Sequence, residues 1–412
     1  MKMQKYDSEL SGLKKKISSG RYTISDIDPK VFANPAWDQM TRAQVEELLL
    51  PAIRYQLDRA LRTMPLVYEA YRKVKPEKIE SMEDFYRLPL LMKDPAAGSG
   101  GLREKFRKHG PSILCPTDLN AEEKTVMNYF SGGTKGLRTP TMVTEQDLEI
   151  EAYASKRGLL AAGIKPGSTI IDTYNSSHKG GEVIKRAFWK LPSKYVQAKS
   201  DDKAAALLDM IERFKEPGRE LVFDGVQTAG LKGLDEQQKG SGRQFFDLLY
   251  GTDARPEVIE KIDRIAIGGF RIIDELREYA LAFNKPVTSL FGATEAMPAF
   301  YGTWDDLEHP LGKKCTFNNL HVMFGPHYIE LVKFEKDRWV PCQPGERGVL
   351  AFTTVFREGT IYMRYLLGDE ATLLHPEGSC VPGCSKTEIV TGIKRIDKGG
   401  LEDIVNTGCA AL

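Results

Sequence analysis

Between Thr41 and Lys73 the apolar positions Val45, Leu48, Leu49, Ile53, Leu57, Leu61 and Val67 recur mostly at spacings of three and four, the period of one buried helical face. Pro51 falls inside this stretch and is expected to kink or divide it. Residues 81–92, SMEDFYRLPLLM, read as a short helix and an extended leucine-rich turn, followed by a glycine-rich loop, GSGGL, at 98–102. Further along the pattern shortens. TIIDTY (169–174), LVFDG (221–225), RIAIGGF (264–270) and VTSLFG (287–292) are brief apolar runs, each separated from the next by enough chain for a helix. That is the pattern of a doubly wound sheet, in which ligands bind at the carboxyl ends of the strands. After residue 310 the texture changes to HVMFGPHYIELVKF, RGVLAFTTVF and EATLL, read as antiparallel strands of a distorted barrel-like lobe. The fold class is α/β, with no internal repeat.

Composition narrows the function classes. A chain of 412 residues, 41% hydrophobic and 28% charged, has room for one large core or two conventional domains and is no small disulfide scaffold. Lys plus Arg number 58 against 57 Asp plus Glu, so no net field steers it towards nucleic acid or an anionic membrane. Six cysteines scattered at 115, 315, 342, 380, 384 and 409 fit a reducing compartment, and we expect a cytoplasmic protein. The N-terminal MKMQKYDSELSGLKKKISSG lacks the apolar stretch of a signal peptide, and no window resembles a membrane span. Cys409-Ala410-Ala411-Leu412 formally matches a prenylation box. The preceding LEDIVNTG carries no polybasic run, so we read the match as coincidence.

Three motifs carry candidate chemistry. The first is Tyr129-Phe130-Ser131-Gly132-Gly133-Thr134-Lys135-Gly136, where small residues let backbone N–H groups approach an anion and hydroxyls and an ammonium add donors. It reads as a phosphate loop, although not the GxxxxGK[ST] type, and a flexible surface turn has the same composition. The second is Phe291-Gly292-Ala293-Thr294-Glu295, which places a hydroxyl and a carboxylate at a strand end. Glu295 there can hold Mg²⁺ against a nucleotide phosphate; alternatively, Thr294 caps a helix. The third is Met363-Arg364-Tyr365-Leu366-Leu367-Gly368-Asp369, in which Asp369 can accept both hydroxyls of a ribose, or the Gly-Asp pair can simply turn a hairpin.

Taken in order, SGGTKG, FGATE and RYLLGD resemble the phosphate loop, acidic strand end and ribose motif of the ANL adenylating superfamily, and most of all its phenylacetate-CoA ligase branch. Gly268-Gly269-Phe270 stands at the adenine-flanking loop. Gly392-Ile393-Lys394-Arg395-Ile396-Asp397 resembles the hinge. AWDQMTRAQVEELLLPAIRYQLDRALRTMPLVYEAYRK and EDFYRLPLLMKD match the branch's opening, a helical segment at about 35–95. The resemblance covers roughly residues 35–400. It implies ATP-dependent activation of a carboxylic acid to an acyl-adenylate, a chemistry of positioning and charge stabilisation. By matching positions, Ser131 to Gly136 hold the leaving phosphates, Thr294 the α-phosphate, Glu295 the Mg²⁺ and Asp369 the ribose, while Arg395 reaches the ribose or phosphates. Adenine lies between the Gly268–Phe270 loop and the Phe291, Gly292 and Ala293 region.

The departures from the family shape the reading. Residues 1–397 match the large domain, and residues 398–412 form a short tail where relatives carry a lid with a catalytic lysine. We therefore expect a lid-less member of secondary metabolism, passing its acyl group to a partner enzyme or carrier. Lys135, where the loop usually has Thr, can supply phosphate charge or be a solvated lysine. Leu367 and Phe270 replace the usual Thr and Glu. The competing readings are a complete acyl-CoA ligase and a degenerate adenylation fold that binds without chemistry. The acyl pocket is expected at Tyr174, His178, Phe270, Ala293 and Met297, with an aromatic or heteroaromatic acid as substrate and His178 a pocket residue rather than a base. Cys315, His321, Cys380 and Cys384 form two short-range pairs that can supply four ligands to a structural Zn²⁺. A homodimer is implied by the resemblance alone.

Overall fold

Two helices open the chain, α1 (Lys2–Ser18) and α2 (Arg42–Thr63). The second is the periodic stretch. Thr41 caps it, its side chain accepting from the Gln44 N–H while the Gln44 side chain accepts from the Thr41 N–H at 2.9 Å, a reciprocal capping box. Pro51 lies inside α2 without dividing it. Val45, Leu48 and Leu49 before the proline and Ala52, Ile53 and Leu57 after it are buried in the same core. Each large aliphatic contributes roughly 1.5–3 kcal/mol, which together outweighs the cost of about 3 kcal/mol for an interior proline.

The computed structural model describes residues 2–92, 102–120, 122–130, 140–174, 178–199, 204–227, 255–268, 284–304, 315, 319–336, 338–375, 377–378, 380, 384–396 and 410–411. After α2 come α3 (Met82–Tyr86), β1 (Leu91–Met92) and α4 (Leu102–His109). An antiparallel pair follows, β2 (Val126–Phe130) and β3 (Pro140–Thr144), in which Phe130 stands opposite Pro140. The candidate phosphate loop is the connection between those two paired residues.

The α/β layer then alternates through α5 (Glu145–Ala161), β4 (Thr169–Asp172), α6 (Lys179–Trp189), β5 (Lys194–Gln197), α7 (Ala204–Phe214), β6 (Leu221–Gln227), α8 (Pro256–Ile259), β7 (Arg264–Gly268) and β8 (Val287–Phe291). The strands lie parallel in the order β5-β4-β6-β7-β8. Successive residues serve opposite faces. Ile171, Phe223 and Ile265 pack with Leu207, Leu208 and Ile211 of α7. Ile170, Val222 and Ala266 pack with Leu159 of α5 and with Val183 and Phe188 of α6. Burial on both faces explains why these strands read as continuous apolar runs.

Past β8 the chain turns antiparallel through β9 (Phe300–Trp304), β10 (Asn319–Val322), β11 (His327–Glu335), β12 (Arg338–Pro341), β13 (Arg347–Thr354), β14 (Tyr365–His375) and β15 (Ile389–Arg395). A last pair, β16 (Ala410–Ala411), lies against β1. The run HVMFGPHYIELVKF holds two strands, because the chain breaks between Val322 and His327 with Gly325 at φ +131°. Among the described residues the expected parallel sheet and antiparallel lobe are joined in one hydrogen-bonded sheet of 14 strands, of which twelve run β12-β11-β13-β14-β15-β10-β9-β8-β7-β6-β4-β5, while β1 pairs with β14 and β16 with β1. Among the described residues no helix is long and apolar enough to cross a membrane.

Candidate active site

Thr294 and Glu295 leave the carboxyl end of β8 in a tight bend. The Ala293 N–H donates to the Ala296 carbonyl at 2.8 Å, the Ala296 N–H to the Ala293 carbonyl at 3.1 Å, and the Ala299 N–H to the Phe291 carbonyl at 2.8 Å. The bend runs straight into β9, so Thr294 caps no helix. Thr294 and Glu295 are only 5% and 7% exposed. Gly292 is required for this path, since a Cβ there would lie 2.2 Å from the Met297 sulfur. The Glu295 charge acts on Asp369, Tyr362 and His178, tending to raise each of their pKa values. It therefore faces the ribose strand, the crossing from β13 to β14 and the start of α6.

Asp369 on β14 stands directly opposite Arg395 on β15. Arg395 Nη1 donates to Asp369 Oδ2 at 3.1 Å. The carboxylate is sheltered, at 15% side-chain exposure, and the guanidinium is 69% exposed. Burial pushes the Asp369 carboxyl above its usual range, and Arg395 pulls it back. Ser131, Gly132, Gly133, Thr134, Lys135 and Gly136, with Gly269 and Phe270, lie outside the described residues. Just beyond the phosphate loop, Thr141 Oγ1 shares a hydrogen bond of 3.0 Å with the Tyr362 hydroxyl. That contact ties the loop's exit to the residue facing Glu295.

Between the strand ends lies a cavity of about 10 Å³, room for about one water. Tyr174 and Met297, two of the residues expected at the acyl pocket, line it together with Gly268, expected at the adenine loop, and with Leu159, Leu290 and Asp224. Phe291, Ala293 and His178 are not in its lining. His178 instead caps α6, its Nδ1 accepting from the Gly180 N–H at 3.2 Å. The sequence reading missed Asp224, in the middle of β6, and its neighbour Asp172, the last residue of β4, which pair in register. Asp172 accepts the Tyr174 N–H at 2.7 Å and the Tyr195 hydroxyl. Burial raises its carboxyl to about 6, with hydrogen bonds from Tyr195, Tyr174 and Asp224 opposing. The available signal was a lone Asp at the end of each of two apolar runs, TIID and LVFD.

A second constellation gathers at the β10–β15 side of the sheet. The ligand atoms of Cys315, His321, Cys380 and Cys384 all lie within 4.8 Å of one another. Cys315 Sγ is 3.8 Å from Cys384 Sγ, which is 3.4 Å from His321 Nε2. Tetrahedral zinc with usual bond lengths separates its sulfur and nitrogen ligands by about 3.5–3.8 Å. His321 Nδ1–H donates to the Thr387 carbonyl at 2.9 Å, leaving Nε2 as the ligand face. Hydrogen bonds from Cys315 and Cys384 pull the Cys380 thiol far below its usual range. Burial pulls His321 down, but Cys380 and Cys384 outweigh it and raise the imidazole to about 9. The described cysteines form no disulfide.

No protein-family model matches the sequence. A phenylacetate-coenzyme A ligase from Thermus thermophilus is 23% identical over 350 residues, covering 82% of this chain and 67% of the relative. A crystal structure of 2-hydroxyisobutyryl-CoA ligase, open and holding 2-hydroxyisobutyryl-AMP and CoA, superposes with a TM-score of 0.68 at 17% identity. The match covers 88% of this chain and 78% of that one. The fold is that of the adenylate-forming ligases. The same enzyme in its thioesterification state also gives 0.68, at 19% identity over 88% and 71% of the two chains.

Glu295, a sheltered carboxylate on the bend whose charge acts on Asp369, is the kind of oxygen donor that fits Mg²⁺. When bound, such an ion neutralises charge on the phosphates.

Proposed function

We propose that this chain activates a small carboxylic acid with ATP. The acid's oxygen attacks the α-phosphate, the bond to pyrophosphate breaks, and an acyl-adenylate remains. The observation that carries the reading is the convergence of Glu295, the Asp369–Arg395 pair and the acyl cavity around the carboxyl ends of one parallel sheet, where open α/β sheets bind ligands. Ser131 to Gly136 take the leaving phosphates, Thr294 the α-phosphate, Glu295 the Mg²⁺ and Asp369 the ribose.

For the acid, Asp224, Tyr174 and Thr288 bring polar atoms into a wall otherwise formed by residues such as Leu159, Ile184, Leu290 and Met297, which suits a body that carries a hydrogen-bond donor. 2-Hydroxyisobutyrate, the acid named for the structural relatives, is of this kind. The test is exchange of labelled pyrophosphate into ATP with 2-hydroxyisobutyrate, phenylacetate and a wider acid panel. Acid-dependent exchange is expected, and its absence with every acid defeats the reading. We also propose that Cys315, His321, Cys380 and Cys384 hold a structural Zn²⁺, supported by ligand spacing, burial and the His321–Thr387 hydrogen bond.

A further inference from the structure

Apart from the residues assigned above to ATP and the acid lies a group of buried charges. Glu151, on α5, is 1% exposed. Its Oε1 accepts Lys179 Nζ at 2.7 Å and an Arg357 Nη2 N–H, and His327 Nε2 lies 3.4 Å from the same oxygen. One turn earlier on α5, Asp147 accepts the Glu358 N–H at 2.7 Å and the Gly359 N–H at 2.9 Å.

Each partner of Glu151 belongs to a segment that the site needs. Lys179 is the first residue of α6, directly after the cap His178. His327 opens β11, and its Nε2 lies 3.2 Å from the Met297 nitrogen and 3.1 Å from the Met297 oxygen, so that one tautomer accepts from the N–H and the other donates to the carbonyl. Met297 lines the acyl cavity and is two residues from Glu295. Arg357 lies on the crossing from β13 to β14, which also carries Tyr362. Sequence separations of 28 and 206 residues from Glu151 to Lys179 and Arg357 mean that only the folded chain assembles the group.

Stability alone is a poor account of it. Well-packed apolar side chains do as well as a buried ion network or better, whereas such networks can fix one arrangement among several. We propose that Glu151 is a positioning residue for adenylation, fixing through Lys179, His327 and Arg357 the relative placement of the α6 start, the Glu295–Met297 bend and the Tyr362 crossing. This rests on the adenylation reading above.

Titration of Lys179 gives the inference a readout that a purely structural role would not move. The ammonium faces Glu151 and Asp147 of α5, Arg357 of the crossing, His327 of β11 and the neighbouring His178. Burial and Arg357 lower its pKa to about 8, with Glu151 and Asp147 opposing. Because the folded value lies below the ordinary lysine value of 10.5, the unfolded chain binds more protons between the two. The Lys179 contribution to stability therefore rises with pH in that window. Activity lost there through Lys179 is loss of geometry, not unfolding.

The experiment measures pyrophosphate exchange against pH for the full chain, Glu151→Gln and Lys179→Arg, with whichever of 2-hydroxyisobutyrate and phenylacetate supports exchange. Glu151→Gln is expected to lower kcat at least about tenfold while KM for ATP moves less than about threefold, since the ribose contact is untouched. The unmodified chain should lose activity as pH rises through about 8, and Lys179→Arg should move that limb upward by about one pH unit or more. An unchanged kcat in Glu151→Gln, or a raised KM with kcat intact, overturns the inference. An alkaline limb at the same pH in Lys179→Arg does so too, and decides the matter if Glu151→Gln fails to fold. If the unmodified chain exchanges no pyrophosphate with any acid, the adenylation reading falls and this inference falls with it.

Discussion

Asp369 and Arg395 meet across the β14–β15 ladder at 3.1 Å, joining the residue read as the ribose ligand to the residue read as the hinge arginine. With a guanidinium 69% exposed, the pair adds little to stability, about 0–1 kcal/mol as for surface ion pairs generally. Its value lies in aiming the carboxylate. Asp369→Asn should leave the melting temperature nearly unchanged while weakening ATP binding about 10- to 100-fold, the worth of charge-assisted hydrogen bonds to a sugar. Arg395→Ala should weaken it less. Calorimetric titration with Mg·ATP beside a melting curve for each variant tests this, and a large thermal loss with unaltered affinity would contradict it.

Gly268 sets the size of the acyl cavity. A Cβ there would sit 3.2 Å from the Leu290 carbonyl oxygen and 3.2 Å from the Tyr174 hydroxyl; the backbone oxygen cannot step aside, but the tyrosine can. Gly268→Ala should therefore fold, with a cost of about 1–3 kcal/mol for overpacking, and should discriminate by acid size. We expect kcat/KM to fall about tenfold more for phenylacetate than for 2-hydroxyisobutyrate, the scale on which one methyl is sensed in a closed pocket. Equal losses for both acids would place the acyl site elsewhere.

Elements with a single strong period were legible in the sequence. The stripe from Val45 to Leu57 marks α2, and the runs around Ile170, Val222, Ala266 and Leu290 mark parallel strands, because burial on one helical face or on both sheet faces leaves few choices of residue. α1 went unread although Met3, Tyr6, Leu10, Leu13 and Ile17 recur at spacings of three and four, because its lysine-rich, glycine-containing sequence masks the stripe. Thr294, Glu295 and Asp369 are legible because each ends a recognisable local motif. Asp224 and Glu151 are not. Asp224 is a lone acid in an apolar run and Glu151 one of four alternating acids at the start of α5, and the meaning of each comes from partners supplied by other elements: Asp172 by strand register, and Lys179, His327 and Arg357 by packing.

The four-residue thiol and imidazole cluster predicts bound metal. Protein purified without chelator should carry about one zinc per chain by elemental analysis, and Cys384→Ser should lose most of it, because Cys384 Sγ contacts both Cys315 and His321. Metal that binds only the folded state adds its binding free energy to folding, so a strong chelator should lower the melting temperature by several degrees, more than Cys115→Ser does. Absence of zinc after purification, with no stabilisation on adding it, would refute the assignment.

The carboxyl pair beneath the acyl cavity makes a pH prediction whose sign follows from linkage. Burial raises Asp172 from 3.8 to about 6, so the folded chain holds a proton there that the unfolded chain releases sooner. The contribution is fully present below the unfolded value and is lost as pH rises through the folded one, between about 4 and 6. Asn at this position resembles the protonated acid: its oxygen can accept the Tyr174 N–H, while its amide donates to the Tyr195 hydroxyl, which can turn its own proton to Gln197. The melting temperature of Asp172→Asn minus that of the unmodified chain should therefore be lowest below pH 4, climb through the window and level off above pH 6 at a gain of a few degrees. A difference that is flat across the window, or that falls as pH rises, would show that Asp172 keeps its charge in the folded chain, and the cavity would then offer an incoming acid a fixed anion rather than a shared proton.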